Sequence, residues 1–109
     1  MSDMTLPPYD DGFSAVLALS EEHPGSRWLK VVRAAHTVSR RVDGQPMAGR
    51  WVLKELHQMG DSEWRPGLRV LERFGILRKV GDSTRSGNRA YYVMPDPVGV
   101  DKGLRRLGY

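Results

Sequence analysis

The sequence predicts an α+β fold, mainly α: a three-helix core, a β-hairpin, and a flanking helix at each end. Three observations carry this. Apolar residues recur at helical spacing in three stretches between Ser26 and Phe74. Two segments rich in branched and aromatic residues, ILRKV (76–80) and RAYYVM (89–94), enclose the turn chemistry of GDSTRSGN (81–88). Gly and Asp-Pro pairs punctuate the chain where those patterns change. A chain of 109 residues suits one domain, and a domain of this size buries about two thirds of its unfolded surface.

In chain order, residues 1–11 form an arm, because Pro7-Pro8 and small polar residues discourage regular structure. A helix is expected from Gly12 to Glu22, capped by Asp10 or Asp11, with Phe13, Val16 and Leu17 on one side. HPGS (23–26) breaks it. Ser26 then caps a helix whose Trp28, Val31, Val32, Ala35, Val38 and Val42 share a stripe, and Asp43-Gly44 ends it. After the GQP turn, Ala48, Val52, Leu56 and Met59 repeat the stripe. Gly60 suits the left-handed residue that closes this helix. Arg50, Lys54, Glu55 and His57 lie opposite.

Pro66 lacks a backbone N–H, which puts it in the first turn of the next helix. That helix is expected from about Trp64 or Arg65 to Phe74, with Trp64, Leu68 and Leu71 inward and Arg65, Arg69 and Arg73 outward, four apart. Gly75 ends it. The hairpin follows, and Tyr91 and Tyr92 must point to opposite sides of their strand. Asp96 caps a last helix over 96–108, with Pro97 in its first turn. Val100, Leu104 and Leu107 form its apolar side, and Gly99 and Gly103 weaken it. A lone hairpin is marginal in water, so it must pack on the helices.

Hydrophobic residues make up 39% and charged residues 28%, a balance suited to a soluble globular fold. The longest apolar run, Gly12 to Ser20, is too short to cross a bilayer, and no secretion signal is expected. There is no cysteine, which excludes disulfides and thiolate-bound zinc and fits a reducing cytoplasm. The net charge is +4. The first 26 residues carry five acids and no Lys or Arg, so the rest sets 17 basic against 8 acidic residues, a net +9. A basic body behind an acidic lead fits a polyanion partner as well as a solvated arginine-rich surface.

The stretch LRVLERFGILRKVGDSTRSGNRAYYVM (68–94) resembles the end of a winged helix-turn-helix domain. Winged-helix regulators of bacteria and archaea commonly close the recognition helix with a Leu-x-x-Leu-x-x-x-Gly-[Ile/Leu]-[Leu/Val] pattern, here Leu68, Leu71, Gly75, Ile76 and Leu77. A wing ending in Arg-x-Tyr-Tyr follows, here Arg89, Tyr91 and Tyr92. The resemblance covers residues 27–94. It implies sequence-specific binding of double-stranded DNA by a transcriptional regulator, a homodimer in the cytoplasm at the nucleoid. Two features depart from the pattern: Pro66-Gly67 in place of better helix formers, and Trp64, which is either a core anchor or a phosphate-side contact.

The chemistry agrees with that expectation. A helix fits the major groove, and Arg donates two parallel bonds to guanine. Glu63, Arg65 and Arg69 are expected at base edges and Arg73 at phosphate. Thr84, Arg85, Ser86, Asn88 and Arg89 in the hairpin tip suit phosphate or a narrow minor groove. Arg50 near the start of its helix suits phosphate. Arg40 and Arg41 are secondary candidates, and Arg105 and Arg106 suit a solvated face. His23, His36 and His57 are too dispersed for a metal site. No phosphate-binding loop or nucleophile elbow occurs, so no cofactor, metal or enzymatic activity is expected. The alternatives are a protein–protein module anchored by Trp28, Trp51 or Tyr92, and an RNA binder.

Overall fold

The structure, a computed structural model, describes residues 11–56, 61–83 and 89–109. They form α1 (Gly12–Glu22), α2 (Arg27–Arg41), β1 (Met47–Ala48), α3 (Gly49–Glu55), α4 (Asp61–Arg73), β2 (Arg78–Ser83), β3 (Arg89–Val93) and α5 (Pro97–Arg106). The class is α+β, mainly α, with one antiparallel sheet ordered β1-β3-β2. Among the described residues no helix is long and apolar enough to cross a membrane.

α2 runs through the core. Its Val31, Val32, Ala35 and Val38 are fully buried, as the stripe predicts. Val16 and Leu19 of α1, Val100 and Leu104 of α5, and Leu68 and Leu71 of α4 close around it. Each such side chain contributes roughly 1.5–3 kcal/mol through burial. The chain reversals follow the sequence. Asp11 accepts a bond from the Ser14 N–H at 2.7 Å and caps α1. Asp43 takes the left-handed conformation (φ 55°), and Gly44 bonds back to the Ser39 carbonyl at 2.9 Å, closing α2. Gly75 (φ 82°) closes α4 in the same way: its N–H reaches the Glu72 carbonyl at 3.0 Å, and that of Ile76 reaches Leu71 at 2.9 Å.

Four expectations need correction. Ser26 makes no side-chain cap; its backbone carbonyl accepts from Lys30 instead. Residues 47 and 48, expected as the end of a turn and the start of a helix, form β1, which pairs with Tyr92 and Tyr91. Met47 and Ala48 are buried, so the strand is fixed by its neighbours rather than by local preference. α3 stops at Glu55, with Leu56 already beyond its last turn, and Met59 and Gly60 fall outside the described residues. α4 starts at Asp61, and Pro66 stands inside it rather than in its first turn. The helix tolerates the proline by forgoing one bond to the carbonyl four residues back.

Glycine has an unexpected purpose in α5. A Cβ on Gly103 would lie 2.9 Å from Val16 Cβ, and one on Gly12 would lie 2.7 Å from the Asp96 carbonyl oxygen. Gly99 is closed off by the Asp96 side chain. The glycines that lower helix propensity let α1 and α5 touch backbone to backbone. Asp96 joins the two helices. One carboxylate oxygen accepts from the Gly99 N–H at 3.1 Å, capping α5, and the other accepts from the Gly12 N–H of α1 at 2.8 Å.

Candidate nucleic-acid interface

α4 is seated by its inward face. Leu68 and Leu71 enter the core, and a Cβ on Gly67 would sit 3.1 Å from the Trp28 ring and from Val31. Gly67 is therefore a close-packing position against α2. Arg69, Glu72 and Arg73 are exposed on the other face. Among the described residues neither arginine makes an ion pair; the three bridges found there are Arg33–Asp101, Arg41–Glu55 and Arg105–Asp101. Glu72 does not pair with Arg69 or Arg73.

The hairpin reaches the neighbourhood of this helix through Tyr92. Tyr92 is buried and pairs with Met47 on one side and Lys79 on the other. Its ring lies against Gly49, where a Cβ would be 3.3 Å from Tyr92 Cε1 and 3.0 Å from Leu68 Cδ1. Burial pushes the Tyr92 phenol above its ordinary value; the Glu72 carboxylate adds to this, and the Arg69 guanidinium opposes it. The buried tyrosine is thus within electrostatic reach of the exposed α4 face. Gly49 precedes Arg50 and Leu68 precedes Arg69, so the backbones carrying both arginines meet at one corner.

Tyr91 is half-buried while Tyr92 is buried, as their alternation requires. β2 carries a bulge between Lys79 and Gly81, which leaves Val80 out of the pairing and 45% exposed. Thr84, Arg85, Ser86 and Asn88 fall between the strands and outside the described residues, as do the side chains of Arg65, Arg89, Glu63 and Trp64. Arg89 is placed by its backbone opposite Ser83, at the open end of the ladder.

The remaining cations divide. Arg41 gives two bonds to Glu55, Nη1 to Oε1 at 3.1 Å and Nη2 to Oε2 at 3.3 Å, and so ties α2 to α3. Arg33 donates to Asp101 at 3.1 Å and to the Tyr109 backbone oxygen at 2.9 Å, holding α5 to α2. Arg105 pairs with Asp101 on the surface. Arg40, Arg50, Lys54 and Arg106 stay exposed without an ion pair among the described residues. No family model matches the chain, and no curated protein or solved structure is significantly similar to it.

The three aromatic residues considered as anchors for a protein partner differ in exposure. Trp51 meets Tyr91 edge to face, with ring centroids 6.4 Å apart and planes at 90°. It is 38% exposed beside Arg50 and Lys54. Trp28 is half-buried under the Arg27 guanidinium, 4.7 Å from the ring centroid, and Tyr92 is buried. Of the three anchors considered, Trp51 alone faces outward. Its place about 100° around the helix from inward Val52 was a usable signal. Among the described residues no group of His, Cys, Asp and Glu could hold a metal ion.

Proposed function

We propose that this chain is a winged helix-turn-helix protein that binds double-stranded DNA sequence-specifically and regulates transcription. α4 enters the major groove, with Arg65 and Arg69 at base edges and Arg73 at phosphate. Arg50 takes phosphate where α3 crosses the backbone. Thr84, Arg85, Ser86, Asn88 and Arg89 of the hairpin tip lie on phosphate or in the minor groove. The protein acts as a symmetric dimer on half-sites roughly 34 Å apart, in the cytoplasm at the nucleoid.

One observation carries this reading. Arg69 and Arg73, without an ion pair among the described residues, line the outward face of a helix that runs into the hairpin through Gly75 and shares its core with Tyr92. Charges that serve only the fold are expected to find partners, as Arg33 and Arg41 do; Arg69 and Arg73 find none among the described residues, which suits a polyanion. The order of elements from α2 to β3, and a short α3 leading into α4, agree with the same reading. Selection of bound sequences from a random duplex pool tests it. A palindromic motif is the expected result, and a pool without enrichment overturns site-specific binding.

A further inference from the structure

We propose that the outward corner of α3 and β3 is a second nucleic-acid surface, one that takes an unpaired strand: Trp51 stacks a base while Arg50 and Lys54 hold the phosphates beside it. This surface shares Arg50 with the duplex reading, but Trp51 and Lys54 have no part in that reading.

The corner is built by helical phase. Val52 goes inward and is fully buried, which turns Arg50, Trp51 and Lys54 outward together. Arg50 and Lys54 are four apart, so their Cβ atoms stand about 5–6 Å apart on one face. Both are exposed and without an ion pair among the described residues, and the neighbouring acid, Glu55, is engaged by Arg41. The edge contact with Tyr91 braces the indole while leaving it 38% exposed. Arg50, Trp51, Leu53 and Lys54 line an open cleft of about 370 Å³ at this corner.

The chemistry selects the occupant. A part-exposed aromatic ring beside two cations without an ion pair among the described residues asks for a ligand that is flat and anionic at once. The face of an indole is electron-rich and repels carboxylates, so an acidic peptide uses the cations and leaves the ring unmatched. A nucleic-acid strand supplies a ring and flanking phosphates in the same repeat, and stacking on aromatic side chains is how unpaired bases are held without sequence preference. Bases inside a duplex present no free face, so a duplex can use the cations of this corner but leaves the indole unmatched.

The test is fluorescence anisotropy of short labelled oligothymidylate and oligouridylate with the intact protein. Binding of either strand supports the proposal, and their ratio reports the preferred sugar. Trp51→Ala is expected to weaken binding roughly 5- to 150-fold, and Trp51→Phe, which keeps a ring and the fold, by less. Lys54→Gln should lower the salt slope by about 0.7. Arg69→Ala should leave strand binding unchanged while it weakens duplex binding, which separates this proposal from the duplex reading. Three results overturn it: no binding of either strand, wild-type binding by both Trp51 variants, or displacement by polyglutamate at equal charge.

Discussion

Arg69 and His36 show how differently two polar side chains serve one small domain. Arg69 is exposed and makes no ion pair among the described residues. In the duplex reading, Arg69→Ala is expected to cost about 1–3 kcal/mol of binding and to relax preference at one base pair, measured by titration against single-base variants of a selected site. Arg85→Ala is expected to weaken all sequences alike if it holds phosphate. His36 is buried between α2 and α5, with Nδ1 3.3 Å from an Arg33 nitrogen. Burial holds its imidazole below the ordinary value. Asp101 pulls it up, Arg33 and Arg40 push it down, and a hydrogen bond to the Pro97 backbone pulls it up. With the folded value below the unfolded one, the unfolded chain takes up the proton first. Stability is therefore fully present above about pH 6.5 and declines as pH falls from there toward the folded value. Urea unfolding between pH 5 and 7.5 should show this decline, and His36→Gln should flatten it.

At the scale of the elements, the small residues decide how closely helices approach. Gly12→Ala would drive a methyl into the Asp96 carbonyl oxygen and the Val100 side chain, both at 2.7 Å. Overpacking of this kind costs about 1–3 kcal/mol, more than the roughly 1 kcal/mol that alanine contributes to helix propensity. Net destabilisation by chemical denaturation is the expected result. Asp96→Ala removes the cap of α5 and the bond to the Gly12 N–H of α1 and is expected to cost about 2 kcal/mol, while Asp96→Asn retains part of that. Helix boundaries were legible because Asp11, Asp43-Gly44, Gly75 and Asp96-Pro97 act on backbone groups close by in sequence. β1 was not, because two residues carry no periodicity and their pairing depends on a strand more than forty positions later. The packing of Gly12, Gly67 and Gly103 was hidden for the same reason: a glycine's neighbour lies on another helix. The spacing of the α4 arginines was readable, but the engagement of Arg41 by Glu55 and Arg33 by Asp101 was not, since those partners lie 14 and 68 positions away.

For the whole molecule, electrostatics and chain order make separate demands. If about five phosphates are contacted, the logarithm of duplex affinity should fall with the logarithm of salt at a slope near −4 to −5. A flat response, measured by titration at several ionic strengths, would remove the polyanion from the account. The clasp between α1 and α5 bears on synthesis. Asp96 reaches Gly12 across 84 positions of sequence, so α1 is synthesised well before the helix it is clasped to. Until α5 emerges, part of the apolar side of α1 stays uncovered, and a nascent chain stalled before Asp96 should draw chaperones that the released protein does not.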